Sequence, residues 1–450
     1  MLFDLKLIQK YDIPSPRYTS YPTANNFKEL SLNQYQQQLA INNQNEISLY
    51  CHIPFCDTVC FYCGCNKIAT KDKTQAERYL DYLFKEIDLQ AKLLNPNHQV
   101  SQLHFGGGTP TFLTTEQLNA LNNKLRSAFN FAQKGEFSIE IDPRDVDQLK
   151  IKTLANCGFN RISIGVQDFN LKVQKAVNRV QSFSETKAVI DYARNHGFES
   201  VSIDLIYGLP KQSKARFHTT LEKIISLKPE RISLFNYAHL PQLFKPQRRI
   251  NEQELPSANE KLAILQFSID YLLSHGYVYI GMDHFALPDD PLALAQKDDH
   301  LYRNFQGYST HAQCDIIGLG LSSIGSIGAC FSQNTKDLQQ YFQLLDNNQI
   351  PVVKGLVINT DDKIRQAVIM DLICHFYLDF NKIEQQFNIV FNSYFEAELA
   401  RLEQMQQDGL LTVTSSNIKV HERGRLLIRV ICMVFDSYVQ QSKSSFSKTI

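Results

Sequence analysis

The sequence predicts an α/β fold in which six strands and the helices between them form a parallel sheet or a partial (β/α)6 barrel. Apolar, strand-like runs recur along the chain at 47–53, 102–108, 137–143, 161–167, 200–210 and 231–240. The segments between these runs are amphipathic, with apolar residues at i, i+3, i+4 and i+7, as is typical of helices packed on a sheet. Regular alternation of this kind predicts βα units whose strands run parallel.

Each predicted strand, taken in chain order, ends in polar residues or glycines. The first run leads into a cysteine-rich segment, and the second ends in Gly106, Gly107 and Gly108. The later runs end in Glu140 and Asp142, Gln167 and Asp168, Asp204 and Tyr207, and Asn236 and His239. The carboxyl ends of parallel strands meet at one edge, and active sites of such folds lie there. After the glycines, Thr114 and Gln117 have the spacing of a capping box, which predicts the start of a helix.

The pattern changes in the last third of the chain. The segment 281–300 has few periodic features and predicts a loop that could close over the barrel mouth, and 410–424 predicts a hairpin between amphipathic helices. We therefore expect three domains. They are an N-terminal arm over the active site (1–40), a core (41–275) and a C-terminal lid or helical domain (276–450).

The composition is that of an ordinary globular protein. The 450 residues include 46 Lys and Arg against 46 Asp and Glu, and 43% are hydrophobic, which excludes a largely disordered chain. Because the formal net charge is zero, we expect no nucleic-acid partner. No apolar run is long enough to span a bilayer, and the N-terminus lacks the pattern of a signal peptide. We therefore expect a cytoplasmic protein without a membrane partner, whose thiols stay reduced.

Five of the ten cysteines fall between residues 51 and 65. Cys56, Cys60 and Cys63 have the spacing C-x3-C-x2-C, with Cys51 before them and Cys65 after them. Thiolates this close in sequence repel one another unless a metal or an iron–sulfur cluster binds them. Structural zinc usually takes a second pair of ligands, and no second cysteine pair follows downstream. Three thiolates can instead bind three irons of a [4Fe–4S] cluster and leave the fourth iron open for a further ligand.

The cysteine motif, in a loop just after an apolar strand, resembles that of the radical S-adenosylmethionine enzymes. Further motifs narrow the resemblance to one family, the bacterial oxygen-independent coproporphyrinogen III oxidases (dehydrogenases). These motifs are YCHIPFCDTVCFYCGCNK, LHFGGGTPTFL, IEIDPR, GFNRISIGVQDFN, VNRVQ, IDLIYGLPKQ, SLFNYAHLP and GMDHFA. With PRYTSYPTA at 16–24 and RGRLLIRVICMVFD near the C-terminus, the resemblance covers almost the whole chain. A related heme chaperone normally lacks the fourth cysteine and the 16–24 segment, so Cys65 and that segment favour the oxidase.

The resemblance implies a site, position by position. Cys56, Cys60 and Cys63 would bind the [4Fe–4S] cluster, and Cys65 would be a catalytic residue that does not ligate it. The family binds two molecules of S-adenosylmethionine. Positions that match those around the first molecule are Tyr50, Gly107, Glu140 and Ile324. Positions that match those around the second are Tyr62, Gly108, Thr109, Gln167, Arg179, Asp204 and Ala238, with Tyr62 standing where relatives often carry Phe.

The implied reaction is the oxygen-independent, oxidative decarboxylation of two propionate side chains of coproporphyrinogen III, which gives protoporphyrinogen IX in heme biosynthesis. A 5′-deoxyadenosyl radical formed from S-adenosylmethionine at the cluster would abstract a hydrogen from each propionate. We expect an electron donor such as flavodoxin or ferredoxin as a partner, and a monomer. The substrate carries four carboxylates, so a neutral protein must offer it local cations. Arg17, Lys67 and Arg161 are our candidates from position alone.

Two other interpretations stay open at this point. A heme chaperone with the same core would bind heme and would not turn over coproporphyrinogen. A binding protein stabilised by zinc or a cluster would use the cysteines only for structure. Metal analysis separates the last interpretation, because a cluster gives about four irons per chain and a structural zinc site gives one zinc.

Overall fold

We describe a computed structural model of the chain, in which residues 3–41, 44–312 and 314–439 are described. Residues 1–2 of the predicted arm and 440–450 of the predicted C-terminal domain lie outside the described residues. Within the described part of the chain, no helix combines the length and the apolar character that crossing a membrane requires.

The described residues form two compact units. The barrel unit consists of 28–41, 44–271 and 314–357, and the terminal unit consists of 3–27, 272–312 and 358–439. The boundaries predicted at residues 40 and 275 divide the chain by function into an arm, a core and a lid. This functional division stays a prediction. By packing, however, the segment 314–357 lies with the predicted core, since its first strand pairs with the strand before the cysteines.

The strands are listed here in chain order. They are β1 (Lys28–Glu29), β2 (Glu46–Ile53), β3 (Phe55–Cys56), β4 (Ile68–Ala69), β5 (Gln99–Gly107), β6 (Asn130–Ile141), β7 (Arg161–Gln167), β8 (Ser200–Tyr207), β9 (Arg231–Asn236), β10 (Val278–Gly281), β11 (His284–Ala286), β12 (Tyr302–Asn304), β13 (Gly307–Ser309), β14 (Asp315–Leu319), β15 (Ile324–Ile327), β16 (Cys330–Asn334), β17 (Val352–Val357), β18 (Tyr377–Asp379), β19 (Leu411–Val413) and β20 (Asn417–Val420).

The α-helices follow the same order. They are α1 (Leu5–Tyr11), α2 (Leu32–Ile41), α3 (Thr74–Ala91), α4 (Thr115–Ala128), α5 (Gln148–Asn156), α6 (Leu171–Ala176), α7 (Phe183–Asn195), α8 (Lys214–Leu227), α9 (Ala258–Ser274), α10 (Pro291–Lys297), α11 (Leu338–Asp346), α12 (Thr360–His375), α13 (Phe380–Phe387), α14 (Phe391–Tyr394), α15 (Glu396–Gln407) and α16 (Ile428–Met433).

Six parallel strands in the order β2-β5-β6-β7-β8-β9 form the centre of the barrel unit. They coincide with the six predicted runs, so the predicted α/β class is confirmed. Beyond β2, the strand β14 adds a further parallel pairing, and β15, β16, β17 and β1 continue the sheet in antiparallel pairs. In β7 every second residue is buried, because one face of a parallel strand packs under the helices that connect the strands.

The predicted capping box begins α4. The Thr114 hydroxyl accepts a hydrogen bond from the Gln117 backbone N–H, and the Gln117 side chain accepts one from the Thr114 N–H. The same arrangement of Ser182 and Glu185 begins α7. These caps satisfy backbone donors that the first turn of a helix leaves free, so they fix where each helix begins after the strand before it.

The small residues between β14 and β15 allow close backbone contact. A Cβ at Gly318 would lie 2.7 Å from the Ile324 carbonyl oxygen, and one at Gly320 would lie 2.5 Å from Tyr79 Oη. A side chain at either position would therefore collide with a fixed neighbour. This explains the small-residue composition of the segment as a packing requirement.

The terminal unit contains α12 beside the small antiparallel sheet β18-β20-β19. The hairpin predicted over 410–424 is confirmed by β19 and β20. The prediction of a loop over 281–300 was wrong, because β11 pairs with β10 there and α10 follows. Asp290 caps α10 by accepting a hydrogen bond from the Leu292 N–H, and Pro291 suits the first turn.

Candidate active site

The cysteine motif lies on a loop that begins at the carboxyl end of β2 and is closed at its base by β3 and β4. The Ile68 N–H donates to the Pro54 carbonyl at 2.6 Å, and the Thr70 N–H donates to the Cys56 carbonyl at 3.0 Å. Phe55 is buried and stacks on Phe112, with ring centroids 5.3 Å apart. These contacts fix both ends of the loop, so its cysteines are held in place by the sheet.

This loop forms one wall of a cavity of about 320 Å³ at the carboxyl ends of the parallel strands. The size suits a small-molecule ligand. Most of the predicted site residues line this one cavity, although they are far apart in sequence. They are Cys56, Cys60, Tyr62, Cys63, Cys65, Lys67, Gly107, Gly108, Thr109, Glu140, Gln167, Arg179 and Asp204.

Cationic and hydroxyl groups surround the three cysteines of the motif. Arg179 Nη1 donates to Cys60 Sγ at 3.6 Å, and the Thr109 hydroxyl donates to Cys56 Sγ at 3.5 Å. Burial raises the pKa of the Cys56 thiol to about 11, against the opposing effect of Thr109. Thiolates in such a buried place would need compensating positive charge, which a bound metal centre and the neighbouring guanidinium would supply.

Cys63 and Cys65 differ in their electrostatic environment. The Cys65 thiol donates a hydrogen bond to the Cys63 sulfur, which lowers the pKa of Cys63, and the Lys67 ammonium lowers it further against the effect of burial. The same hydrogen bond raises the pKa of Cys65. The hydrogen bond therefore shifts the pKa values of the two thiols in opposite directions, down for Cys63 and up for Cys65.

The glycine run at the end of β5 passes directly under the cysteine loop. The Gly108 N–H donates to the Ile53 carbonyl at 2.9 Å, and a Cβ at Gly108 would lie 2.7 Å from the Phe55 carbonyl oxygen. Gly107 has a φ of +120°, and a Cβ there would lie 2.8 Å from the His52 ring. Both positions require glycine, and they leave unshielded backbone along the cavity wall.

Glu140 and Asp204 are two carboxylates that face the cavity, Glu140 from β6 and Asp204 from β8. Glu140 Oε2 accepts a hydrogen bond from the Gly107 N–H at 3.2 Å, and Asp204 Oδ2 accepts one from the Ser163 hydroxyl at 3.2 Å. Burial, and then the nearby charge of Glu140, raise the pKa of Asp204 to about 6. A positively charged ligand between the two carboxylates would relieve this repulsion, so the pair suits a cation.

Three of the predicted cofactor-binding residues lie outside the lining of the cavity. Tyr50 stacks on His104 with ring centroids 5.8 Å apart, and burial raises its pKa. Ile324 begins β15, next to the Gly318 backbone that pairs with Tyr50 across the sheet. The Ala238 carbonyl accepts a hydrogen bond from Gln247 Nε2 at 3.2 Å.

The three predicted substrate cations lie in different places. Lys67 lines the cavity, and its Nζ donates to the Cys63 carbonyl at 3.3 Å. Arg17 lies in the terminal unit, where its Nη1 pairs with Asp283 Oδ2 at 2.8 Å. Arg161 is the first residue of β7, at the amino end of the strand, and pairs with Glu136. The structure therefore does not bring Arg161 into the cavity.

Sequence reasoning placed Asp142 at a strand end beside the expected site but missed its role there. Asp142 Oδ2 accepts hydrogen bonds from Arg144 at 2.6 Å and from Arg179 at 2.8 Å. Burial raises the pKa of Asp142, but the two guanidinium groups outweigh that effect and lower it. Its position at the same strand end as Glu140 was the available signal. Asp168, at an equivalent strand end, instead accepts buried hydrogen bonds from Thr220 and from Gln212.

Gln247 was also missed, and it connects two predicted positions. Its Nε2 donates to the Tyr62 carbonyl at 3.0 Å and to the Ala238 carbonyl at 3.2 Å. The side chain is buried. No local pattern in the sequence identifies such a bridge, because it depends on which segments the fold brings together.

The donor set fits an iron–sulfur cluster and an amino-acid nucleotide ligand. Four thiols, those of Cys56, Cys60, Cys63 and Cys65, line one cavity, and cysteine thiolates are the ligands that bind iron–sulfur clusters. Gln167 Oε1 and Arg179 Nε are buried and have no hydrogen-bond partner among the described residues. These groups are available to a polar ligand.

Comparison with known proteins identifies the family. Residues 50–224 match the model of the radical SAM superfamily, and 358–427 match the HemN C-terminal domain. The oxygen-independent coproporphyrinogen III oxidases of Pseudomonas aeruginosa and Escherichia coli are each 48% identical to this chain, covering 100% of it and 99% and 98% of their own lengths. The chain belongs to the oxygen-independent coproporphyrinogen III oxidase family. The resemblance inferred from the motifs is therefore confirmed.

A solved structure agrees with this family assignment. Coproporphyrinogen III oxidase (HemN) from Escherichia coli, described as a radical SAM enzyme, superimposes with a TM-score of 0.94 at 47% identity. The match covers 97% of this chain and 99% of that one. Membership in the family implies a [4Fe–4S] cluster and S-adenosylmethionine, as expected, and it does not favour the heme-chaperone alternative.

Proposed function

We propose that the chain catalyses the oxygen-independent oxidative decarboxylation of two propionate side chains of coproporphyrinogen III, which yields protoporphyrinogen IX. Its membership in the oxidase family along its whole length supports this function. The structural observation that supports this function is a single cavity. Cys56, Cys60 and Cys63 line it together with the glycine run and two carboxylates.

The residues divide into those that hold cofactors and those that hold substrate. Cys56, Cys60 and Cys63 would ligate the cluster, which leaves Cys65 as a thiol in the same cavity. The bound cluster and S-adenosylmethionine supply a carbon-centred radical able to abstract hydrogen from an unactivated C–H bond. The protein's part is to orient the propionate and to exclude water from the cavity.

Two molecules of S-adenosylmethionine are proposed, as in the family. Glu140 beside Gly107 suits the cationic groups of the first, together with Tyr50 and Ile324. Unpartnered, buried polar atoms of Gln167 and Arg179 support a second polar ligand. Further positions proposed for it are Tyr62, Gly108, Thr109, Asp204 and Ala238.

Substrate carboxylates need local positive charge. Lys67 lines the cavity and is the first candidate, and Arg17 in the terminal unit is the second. Each propionate would be held by a charge-assisted hydrogen bond, which is stronger than one between neutral groups. Arg161 pairs with Glu136 at the amino end of β7, so the proposal does not rest on it.

The reducing electron comes from outside the chain, and we propose a donor such as flavodoxin or ferredoxin. We also propose that the protein is a cytoplasmic monomer that binds neither nucleic acid nor membranes. The ten free cysteines support a reducing compartment.

The test is an anaerobic assay of the reconstituted chain with S-adenosylmethionine, a reductant and coproporphyrinogen III. We expect protoporphyrin, measured after oxidation, and a matched amount of 5′-deoxyadenosine, and neither product from the Cys60→Ser variant. A protein with a full cluster that cleaves S-adenosylmethionine without forming any porphyrin product would refute the proposed function. Zinc in place of iron would favour the structural interpretation of the cysteines.

A further inference from the structure

A turn between α6 and α7 clamps the cysteine loop along three consecutive residues. The Phe61 N–H donates to the Val177 carbonyl at 2.9 Å, and Asn178 Nδ2 donates to the Val59 carbonyl at 2.8 Å. Between these two contacts, Arg179 reaches Cys60 Sγ. The segment 177–179 therefore holds the segment 59–61 through three contacts. One joins two backbone groups, one joins a side chain to a backbone carbonyl, and one joins a guanidinium to a cysteine sulfur.

The Arg179 guanidinium is fixed from several sides. Its Nη1 donates to Asp142 Oδ2 at 2.8 Å as well as to Cys60 Sγ at 3.6 Å, and its Nη2 donates to the Gly165 carbonyl at 2.5 Å. Only 8% of the Arg179 side chain is exposed. A planar guanidinium with three fixed partners cannot turn away from the sulfur, unlike a flexible surface cation.

The charge next to Cys60 is not cancelled. Asp142 is shared between Arg179 and Arg144, so it faces two guanidinium groups and does not neutralise both of them. Because the surroundings are buried, this charge acts on Cys60 with little screening by water.

We propose that Arg179 is a positioning residue for the cluster, which holds the Cys60 ligand in place and raises the reduction potential of the cluster through this hydrogen bond. The inference rests on the proposed function, because it requires the cluster at Cys56, Cys60 and Cys63. A reduced cluster carries one more negative charge than an oxidised one. A cationic N–H donor at a ligand sulfur therefore stabilises the reduced form more strongly.

The backbone conformation of this turn also favours the contacts with the cysteine loop. Asn178 has a φ of +54°, in the left-handed region that asparagine tolerates better than most residues. This conformation lets its side chain reach the Val59 carbonyl while the next residue turns into the cavity. The clamp is therefore a local feature of the VNR sequence, supplied to the loop from a distant part of the chain.

The test is a redox titration of the full chain, reconstituted anaerobically and followed by electron paramagnetic resonance of the reduced cluster. It is done without S-adenosylmethionine, so that a role of Arg179 in binding that molecule does not contribute. In Arg179→Gln we expect a midpoint potential more negative than in the wild type. Arg179→Lys keeps the charge without the planar fork, so its potential should fall between the two.

Arg194→Gln is the matched control. Arg194 also pairs with a carboxylate, Glu230, and donates to a backbone carbonyl, that of Leu227, but it does so at the end of α7. Its loss should leave the midpoint potential unchanged. If Arg179→Gln does not retain iron, the Arg179→Lys variant supplies the comparison.

The outcomes separate this inference from the proposed function. Wild-type protein that assembles no four-iron cluster would refute both. If the wild type assembles a normal cluster, and Arg179→Gln and Arg179→Lys have the wild-type midpoint potential at equal iron content, only the role of Arg179 is overturned. A shift of equal size in Arg194→Gln would overturn it as well, since the effect would then be a general one of charge.

Discussion

Glu86 is a fully buried carboxyl group that connects three elements of the barrel unit. It accepts hydrogen bonds from the Gly320 N–H at 2.8 Å, Asn334 Nδ2 at 2.6 Å and Tyr341 Oη at 2.5 Å. Burial raises the pKa of Glu86 to about 7, although these three donors oppose the change. A carboxyl group from α3 thus fixes the turn that leads to β15 and Ile324.

This raised pKa predicts a pH-dependent stability. The folded state binds the Glu86 proton more tightly than the unfolded state, whose carboxyl has an ordinary pKa of about 4.5. The stability from this group is therefore fully present below about pH 4.5 and is lost as the pH rises through about 7. The whole shift corresponds to about 3 kcal/mol.

Glu86→Gln tests this prediction. We expect wild-type protein to lose stability between pH 5 and pH 8, and the variant to lose less, because its amide does not titrate. The measurement is the urea midpoint across this pH range. Glu403→Gln, at an exposed position on α15, is the control and should follow the wild type. Parallel curves for wild type and Glu86→Gln would contradict the assigned role.

At the scale of single elements, caps decide where the helices of the barrel unit begin. Thr114 was predicted as a cap from its spacing to Gln117, and both hydrogen bonds of the box are present. Thr114→Ala removes one of them and leaves the Gln117 N–H without its partner. We expect a loss of about 1 kcal/mol, seen as a lower urea midpoint.

Thr115→Ala is the neighbouring control for this cap. Among the described residues, its hydroxyl donates a hydrogen bond to the adjacent Glu116 side chain at 2.9 Å, at the exposed start of α4. The variant should unfold at the wild-type midpoint, within about 0.5 kcal/mol. Equal losses in Thr114→Ala and Thr115→Ala would show that the box contributes nothing specific.

The six central strands could be predicted because their signal is local. The alternation of RISIGVQ gave the bounds of β7, 161–167, since each second residue is buried under helices. The start of β6 at Asn130 could not be predicted in the same way, because its first residues are mostly polar and exposed or half-buried. The pairing of β14 with β2 was also beyond local pattern, since it joins segments about 270 residues apart.

The candidate site shows the same difference between local signals and contacts of distant segments. The spacing of Cys56, Cys60 and Cys63 and the glycines at the end of β5 are compact motifs, so the sequence pointed to them directly. The contact of Arg179 with Cys60 joins residues 119 positions apart, and the bridge from Gln247 to Tyr62 joins residues 185 positions apart. Such contacts depend on strand order and helix placement, and only the folded chain supplies them.

At the scale of the whole molecule, the chemistry-bearing residues are concentrated in one unit. The cavity lining runs from Cys56 to Phe235, entirely within the barrel unit. Three thiols that converge on this cavity repel one another when deprotonated, so a bound cluster contributes to the stability of the unit that holds it. Cluster assembly is therefore expected to raise the melting temperature of the protein.

A series of cysteine variants separates the ligands from the catalytic candidate. Cys56→Ser, Cys60→Ser and Cys63→Ser each remove one of three thiolates, and we expect iron content well below four per chain and no gain in melting temperature on reconstitution. Cys65→Ser should keep about four irons and the full gain, because the proposed cluster uses only the other three. It should still lose most of its protoporphyrin formation, since the thiol lies in the same cavity.

Iron analysis, melting curves before and after reconstitution, and the porphyrin assay on each variant provide the comparison. Iron loss in Cys65→Ser equal to that in Cys60→Ser would make Cys65 a ligand. Full activity in Cys65→Ser would instead remove it from the catalytic residues.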